Sequence, residues 1–178
     1  RMYQIPIVTI DVPGTREADG QTWRGDEDFE NDRCYIEAQT KELIAVCERV
    51  TGKKFDIDKL REVLGYANDV SAYWARILEL NKSRPSLFNA LTDGTAYLGV
   101  ANGFRGTRTG AEYFKRLVEE MEYKAKHGIG TLADEQYRLA IVGVPCYPIF
   151  RRFTELFTEW NGTFVASTYL WFASGGAN

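Results

Sequence analysis

Apolar positions recur along the chain with two periods, and the change from one to the other divides it. From Asp28 to Thr51 the pattern predicts a helix with Tyr35, Ala38, Leu43, Cys47 and Val50 near one face, ended by Gly52 at a C′ position. A second helix follows Phe55-Asp56-Ile57-Asp58, with Asp58 as its expected N-cap. Leu60, Val63, Leu64, Ala67, Trp74, Ile77 and Leu78 keep helical spacing over about five turns. Arg84-Pro85-Ser86 should end it, and the apolar stretch 87–102 reads as helix or irregular buried chain. A third helix is expected to open at Thr109-Gly110-Ala111-Glu112, a capping-box pattern, and to carry Phe114, Leu117, Val118, Met121 and Ala125 to Gly128. Ile129 to Gln136 reads as a surface connection.

The period then shortens. Tyr137-Arg138-Leu139-Ala140-Ile141-Val142 predicts a strand buried on both faces, and Gly143 to Pro148 a turn. Ile149 to Trp160 reads as a helix, Gly162 as its stop, and Thr163 to Tyr169 as the next strand. This is a βαβ unit. At the other end, Tyr3 to Asp11 reads as a short buried strand, and the polar, Gly-rich stretch 14–27 around Trp23 as an exposed loop.

Composition narrows the function classes. The 178 residues carry 22 basic and 25 acidic side chains, a net charge of −3, which points to neither nucleic acid nor an anionic membrane. No apolar run reaches the roughly 20 residues of a membrane helix, and the start is no signal peptide, so a cytoplasmic location is expected. Three cysteines without a CxxC spacing do not make a disulfide framework. Cys34 and Cys47 fall on one predicted helix, about 20 Å apart along its axis, so they cannot share a metal cluster. Both read as buried or half-buried packing residues. Arg1 is not an initiator residue, and Ser174 to Asn178 trails off where an α/β unit should continue. The chain therefore reads as an internal fragment.

Several segments in order resemble the benzoyl-CoA reductase and 2-hydroxyacyl-CoA dehydratase subunit family. They are Ile5-Pro6-Ile7-Val8-Thr9-Ile10-Asp11-Val12-Pro13, Thr51-Gly52-Lys53-Lys54-Phe55-Asp56-Ile57-Asp58 with the Lys59-Leu60-Arg61-Glu62 that follows, Phe104-Arg105-Gly106-Thr107 before a helix, and Tyr137-Arg138-Leu139 running into Gly143-Val144-Pro145. Phe104 to Thr107 and the aromatic-rich end look closer to substrate-binding subunits of ATP-dependent benzoyl-CoA reductase than to the dehydratases. The resemblance implies a helix-rich α/β fold, with a helical connection between parts of two Rossmann-like parallel-sheet domains. Residues 1–13 would be the last strand of the first domain, 14–136 mostly the connection, and 137–178 the start of the second.

It also implies a low-potential oxidoreductase of anaerobic aromatic degradation, reducing the ring of benzoyl-CoA or a related aryl-CoA to a cyclic diene. The intact hetero-oligomer would hold a [4Fe–4S] cluster and work with other reductase subunits, an ATP-hydrolysing electron-activating module and reduced ferredoxin. The cluster cysteines would lie outside this chain, so none is expected to be bound by it, and the fragment alone should be inactive. A 2-hydroxyacyl-CoA dehydratase subunit, a lyase, and a non-catalytic interface module are the alternatives.

Within that frame, Gly143, Pro145, Cys146 and Tyr147 follow a strand at its carboxyl end, where open α/β sheets place ligands, with a helix N-terminus behind them. They are candidates for the acyl-CoA pocket wall, against the plainer reading of a tight turn. Cys146 reads as pocket lining rather than as a redox centre. Tyr169, with Tyr147 and Trp171, is a candidate to face an aromatic acyl group. Arg105 and Thr107 lie in a loop of three glycines and two arginines that either grips a CoA phosphate or is an ordinary helix start, the second being favoured. His127 precedes Gly128 at a helix end, where its charge suits the helix dipole. No residue is singled out as catalytic or as a metal ligand.

Overall fold

The computed structural model describes residues 5–13 and 26–173. Six helices and two strands appear among them: α1 (Asp26–Thr51), α2 (Ile57–Leu80), α3 (Asp93–Gly103), α4 (Arg108–His127), β1 (Tyr137–Ile141), α5 (Phe150–Thr158), β2 (Gly162–Ser167) and α6 (Thr168–Ala173). This is a helix-rich α/β arrangement. The chain divides into two units, Arg1–Ile57 and Asp58–Asn178.

In the first unit the expected helix forms and ends at Gly52, whose φ of 69° is the left-handed conformation that glycine adopts without penalty. The expected strand does not form. Residues 5–13 carry no strand, since backbone there has no ladder partner among the described residues. Instead Asp11 is tied to α1: its N–H donates to Gln39 Oε1 at 2.6 Å, Gln39 Nε2 donates to its carbonyl at 3.0 Å, and Tyr35 donates to its carboxylate at 3.1 Å. Residues 3 and 4 of that stretch, and 14–25 of the expected loop, lie outside the described residues. Cys34 and Cys47 are exposed rather than buried. Cys34 stands four residues from Glu30 and shares its face, which carries a ladder joining Arg33 to Glu30 and Glu37, and Lys41 to Glu37.

The second unit holds the core. Val70, Trp74 and Ile77 of α2 meet Phe114, Leu117 and Met121 of α4, two stripes at helical spacing. Trp74 sets its edge against Phe114, with centroids 5.8 Å apart, and donates its indole N–H to the Leu170 carbonyl of α6 at 3.3 Å. The first turns of α2 stay more open than their pattern suggests, with Leu60 and Leu64 exposed. Asp58 is not the N-cap; the helix already runs at Ile57, and Asp58 pairs with Arg61 at 2.7 Å. The cap of α4 is Thr107, two residues before the expected start. Its hydroxyl accepts from Gly110 N–H at 3.1 Å. The stretch 87–102 resolves into irregular buried chain, then α3.

Asn81, 1% exposed, organises the turn after α2. Its Oδ1 accepts from Leu87 and Phe88 N–H at 2.9 and 3.0 Å; its Nδ2 donates to the carbonyls of Phe88 and Val165 at 3.1 and 2.9 Å. All four hydrogen-bonding positions of the amide are filled. Beside it the expected surface connection is partly clamped. Thr131 N–H donates to Ser86 O at 2.8 Å, and a Cβ at Gly130 would collide with Pro85. The Glu135 carboxylate, its side chain 6% exposed, pairs with Arg138 and accepts from Ser86 N–H at 2.6 Å. Arg138 also donates to the carbonyls of Ser83, Asn81 and Lys82.

β1 and β2 pair in parallel across α5, which completes the expected βαβ unit. Leu139 lies opposite Phe164, and Ala140 opposite Ala166, so Val165 is an extra residue, a bulge. Phe164 packs on Phe153 and Phe157 of α5. β1 is not buried on both faces: Tyr137 is exposed and so is Val142 just beyond it, because the sheet has two strands among the described residues and few elements to cover it. β2 ends at Ser167, so Tyr169 sits on α6, not on a strand.

Two outcomes test these contacts. Asn81→Ala leaves two buried N–H groups and two carbonyls without their partner, and should cost about 2–4 kcal/mol in denaturant unfolding. Burial alone would raise the Glu135 pKa, but hydrogen bonding from Ser86 and Arg138, with the Arg138 charge, outweighs it and lowers the value. A depressed carboxyl stabilises the fold above its unfolded-state pKa and loses that contribution as pH falls through the folded value. Thermal melts of the native chain should therefore drop more steeply below about pH 4.5 than those of Glu135→Gln.

Candidate functional site at the carboxyl ends of the strands

After β1 the chain runs through Val142 into Gly143, whose φ of 107° is a backbone conformation that side chains with a Cβ rarely adopt. The Gly143 N–H donates to Thr168 Oγ1 at 3.0 Å, so the residue after β2 holds the turn after β1. Pro145 is buried and Cys146 half-buried. Tyr147 N–H donates to Pro145 O at 2.8 Å, and Ile149 N–H to Cys146 O at 3.0 Å, which folds the turn back towards α5. The Tyr147 ring meets Tyr169 and Phe150 edge-on, with centroids 6.1 and 6.4 Å apart. The hydroxyl hydrogen bond with Tyr169, helped by partial desolvation, pushes the Tyr147 pKa up to about 12. Ile149, at the N-cap of α5, gives no side-chain bond to the first-turn amides.

The structure thus brings Gly143, Pro145, Cys146, Tyr147 and Tyr169 into one corner. Arg105 and Thr107 belong to a different neighbourhood, the α3–α4 turn, which packs on α2. A Cβ at Gly106 would come within 2.6 Å of Val63 Cγ1, and one at Gly110 would strike the Phe104 carbonyl. Thr107 caps α4 and donates to Phe104 O at 2.7 Å. Two of the three glycines in this loop are therefore explained by packing, and Arg105 is exposed on its outer side. His127 takes the place expected of it, in the last turn of α4, with Nδ1 2.8 Å from Tyr123 O. A groove of about 670 Å³ also lies between Thr92–Asp93 and one face of α5, where Arg152 contacts Glu155 and Glu159.

No group of three or more His, Cys, Asp or Glu side chains converges on a metal position among the described residues. A four-iron cluster needs several thiolates at one point. Cys34 and Cys47 are 13 residues apart on the continuous helix α1, about 20 Å along its axis, so at most two of the three thiols could meet. The cysteines present do not fit such a cluster. Among the described residues no helix is long and apolar enough to cross a membrane.

A helical region leading into a parallel βαβ unit defines a helix-rich α/β protein. The chain belongs to the 2-hydroxyglutaryl-CoA dehydratase, D-component, family, whose pattern matches residues 1–177. It is 33% identical over 174 residues to a benzoyl-CoA reductase subunit of Thauera aromatica, covering 94% of this chain and 39% of that protein. It is 30% identical over 171 residues to the (R)-phenyllactyl-CoA dehydratase alpha subunit of Clostridium sporogenes, covering 95% and 40%. With the (R)-2-hydroxyglutaryl-CoA dehydratase alpha subunit of Acidaminococcus fermentans it shares 32% over 149 residues, 83% of this chain and 29% of the relative. The chain spans 40% or less of the length of these relatives.

The tyrosine pair gives a direct check. Difference titration of Tyr147→Phe against the native chain should assign to Tyr147 an ionisation near pH 12. In Tyr169→Phe that ionisation should move back towards 10, the ordinary tyrosine value.

Proposed function

We propose that this chain is part of a subunit of a low-potential iron–sulfur oxidoreductase that reduces the aromatic ring of benzoyl-CoA, or a related aryl-CoA, to a cyclic diene. The observation that supports this reading is the aromatic corner at the strand ends: Tyr147, on the turn that Gly143 ties to Thr168, meets Tyr169 of α6 edge-on. Rings meeting edge-on offer an aromatic acyl group both faces and edges to pack against. Ring reduction adds two electrons and two protons and leaves the thioester intact, so the work of this chain is to hold the ring in place and keep water from it. Tyr147, its pKa raised, stays protonated at neutral pH, and the Tyr147–Tyr169 pair offers a hydroxyl hydrogen bond to the thioester oxygen without giving up a proton. Pro145 and Cys146 complete the wall, and Arg105 is the candidate contact for a CoA phosphate.

The [4Fe–4S] chemistry belongs, in this proposal, to parts of the complex beyond these residues. Reduced ferredoxin, an ATP-hydrolysing module and further subunits deliver the electrons. Residues 1–13 then close a first α/β domain and 137–178 open a second, joined by the helices between. The dehydratase alternative has its own support, since two of the relatives named above are dehydratase subunits at 30% and 32% identity.

Anaerobic production of the full-length subunit with its partners decides between them. The proposal expects bound iron and ATP-dependent loss of benzoyl-CoA with formation of the diene, and Tyr169→Phe lowering turnover by about tenfold. Dehydration of (R)-2-hydroxyacyl-CoA without any benzoyl-CoA reduction would assign the chain to the lyases, and neither activity would sink both readings.

A further inference from the structure

The turn that carries Tyr147 leaves the sheet at its last ladder pair, Ile141 with Ser167. Beyond that pair little packing holds its first residues. Val142 and Val144 are 85% and 68% exposed, and a Cβ at Gly143 would meet nothing within 4 Å. Buried Pro145, with φ locked by its ring, anchors the middle, and two backbone bonds stiffen the path from there to Ile149. Thr168 ties the backbone of the turn to α6, the element that bears Tyr169: its Oγ1 accepts from Gly143 N–H at 3.0 Å.

The base of that tie is firm. Leu170 is fully buried, and a Cβ at Gly94 would strike its side chain. Its carbonyl accepts from the Trp74 indole N–H at 3.3 Å. Thr168 and Tyr169 directly precede it, so their backbone is held with it. Threonine is branched at Cβ and has few χ1 choices, which sets the place of its oxygen. Gly143 presents its N–H to that oxygen at a φ of 107°, where a residue with a Cβ is strained. Hydroxyl and glycine form one latch, and the ring of Tyr147, four residues on, meets Tyr169 edge-on at 6.1 Å.

We propose that Thr168 is a positioning residue: through Gly143, its hydroxyl sets the distance and angle between the Tyr147 and Tyr169 rings, and so the wall against which an aryl group lies. The last step rests on the aryl-CoA reading; the latch does not. Thr168→Val keeps the shape of the side chain and removes the acceptor. The Gly143 N–H it leaves is exposed and can turn to water, so the fold survives while the turn drifts from α6. Thr168→Ser keeps the oxygen.

Proton NMR of the intact chain at neutral pH reads the latch without substrate. An edge-on neighbour gives the Tyr147 ring protons a ring-current shift, identified as the shift that Tyr169→Leu removes. Thr168→Val should lose most of it, and Thr168→Ser should keep it. Gly143→Ala, whose Cβ has open space and disturbs only φ, should lose it too. In the full-length subunit with its partners, Thr168→Val should lower kcat/KM for the aryl-CoA by about tenfold, with Thr168→Ser near native. An unchanged Tyr147 shift in Thr168→Val, or an equal loss in Thr168→Ser, would overturn the latch. Native kcat/KM in Thr168→Val would overturn the positioning role. A native subunit without aryl-CoA turnover would remove the aryl-CoA reading and the last step with it, while the ring shifts still decide the latch.

Discussion

One amide side chain sets the geometry of the second unit. Asn81 stands just past the last residue of α2 and spends every donor and acceptor it has on backbone: two N–H groups and a carbonyl of the loop that follows, and the carbonyl of the strand bulge. An isolated hydrogen bond adds little net stability, but four made by a fully buried group are each expensive to lose, because no solvent stands ready to replace them. Through them the end of α2, the buried loop 87–90 and β2 are placed together. Arg138 extends the same idea one layer outward, drawing the carbonyls of Asn81, Lys82 and Ser83 towards β1. The core packs around this polar knot, with Phe88, Leu91 and Phe164 fully or almost fully buried.

Much of the helical architecture was legible from periodicity alone. Long stripes such as Trp74-Ile77-Leu78 and Phe114-Leu117-Met121 are strong signals, and the left-handed glycines 52 and 128 mark the ends of α1 and α4 physically. The βαβ unit was legible for the same reason: two β-branched or aromatic runs flanked an amphipathic helix. Local chemistry was harder to read. Thr107 and Thr109 are both plausible caps by residue type, and only the path of the chain past Phe104 chooses the first. The apolar run Ile5 to Val12 has strand composition, yet a strand exists only through its neighbours, and none pairs with it among the described residues. Cys34 reads as a small apolar residue, but its place four positions from Glu30 puts it on the charged side of α1.

The site was half visible. A glycine followed by proline, cysteine and tyrosine after an apolar run marks a strand end, and the turn from Gly143 to Tyr147 stands there. That pattern could not reveal the bond from Gly143 to Thr168 that locks the two strand ends together. Nor could it see that α6 begins there and turns Tyr169 towards Tyr147.

The bulge at Val165 has a consequence for how this segment can change over time. The pairs on either side of it, Leu139 with Phe164 and Ala140 with Ala166, are consecutive on β1 and separated by one extra residue on β2. That residue is slack. Losing it would leave both pairs in register, while withdrawing the carbonyl that Asn81 reaches. Length variation here would thus be nearly silent in the ladder and loud at Asn81. The hold of the α2 end on the sheet is in this sense set by counting residues rather than by exchanging them.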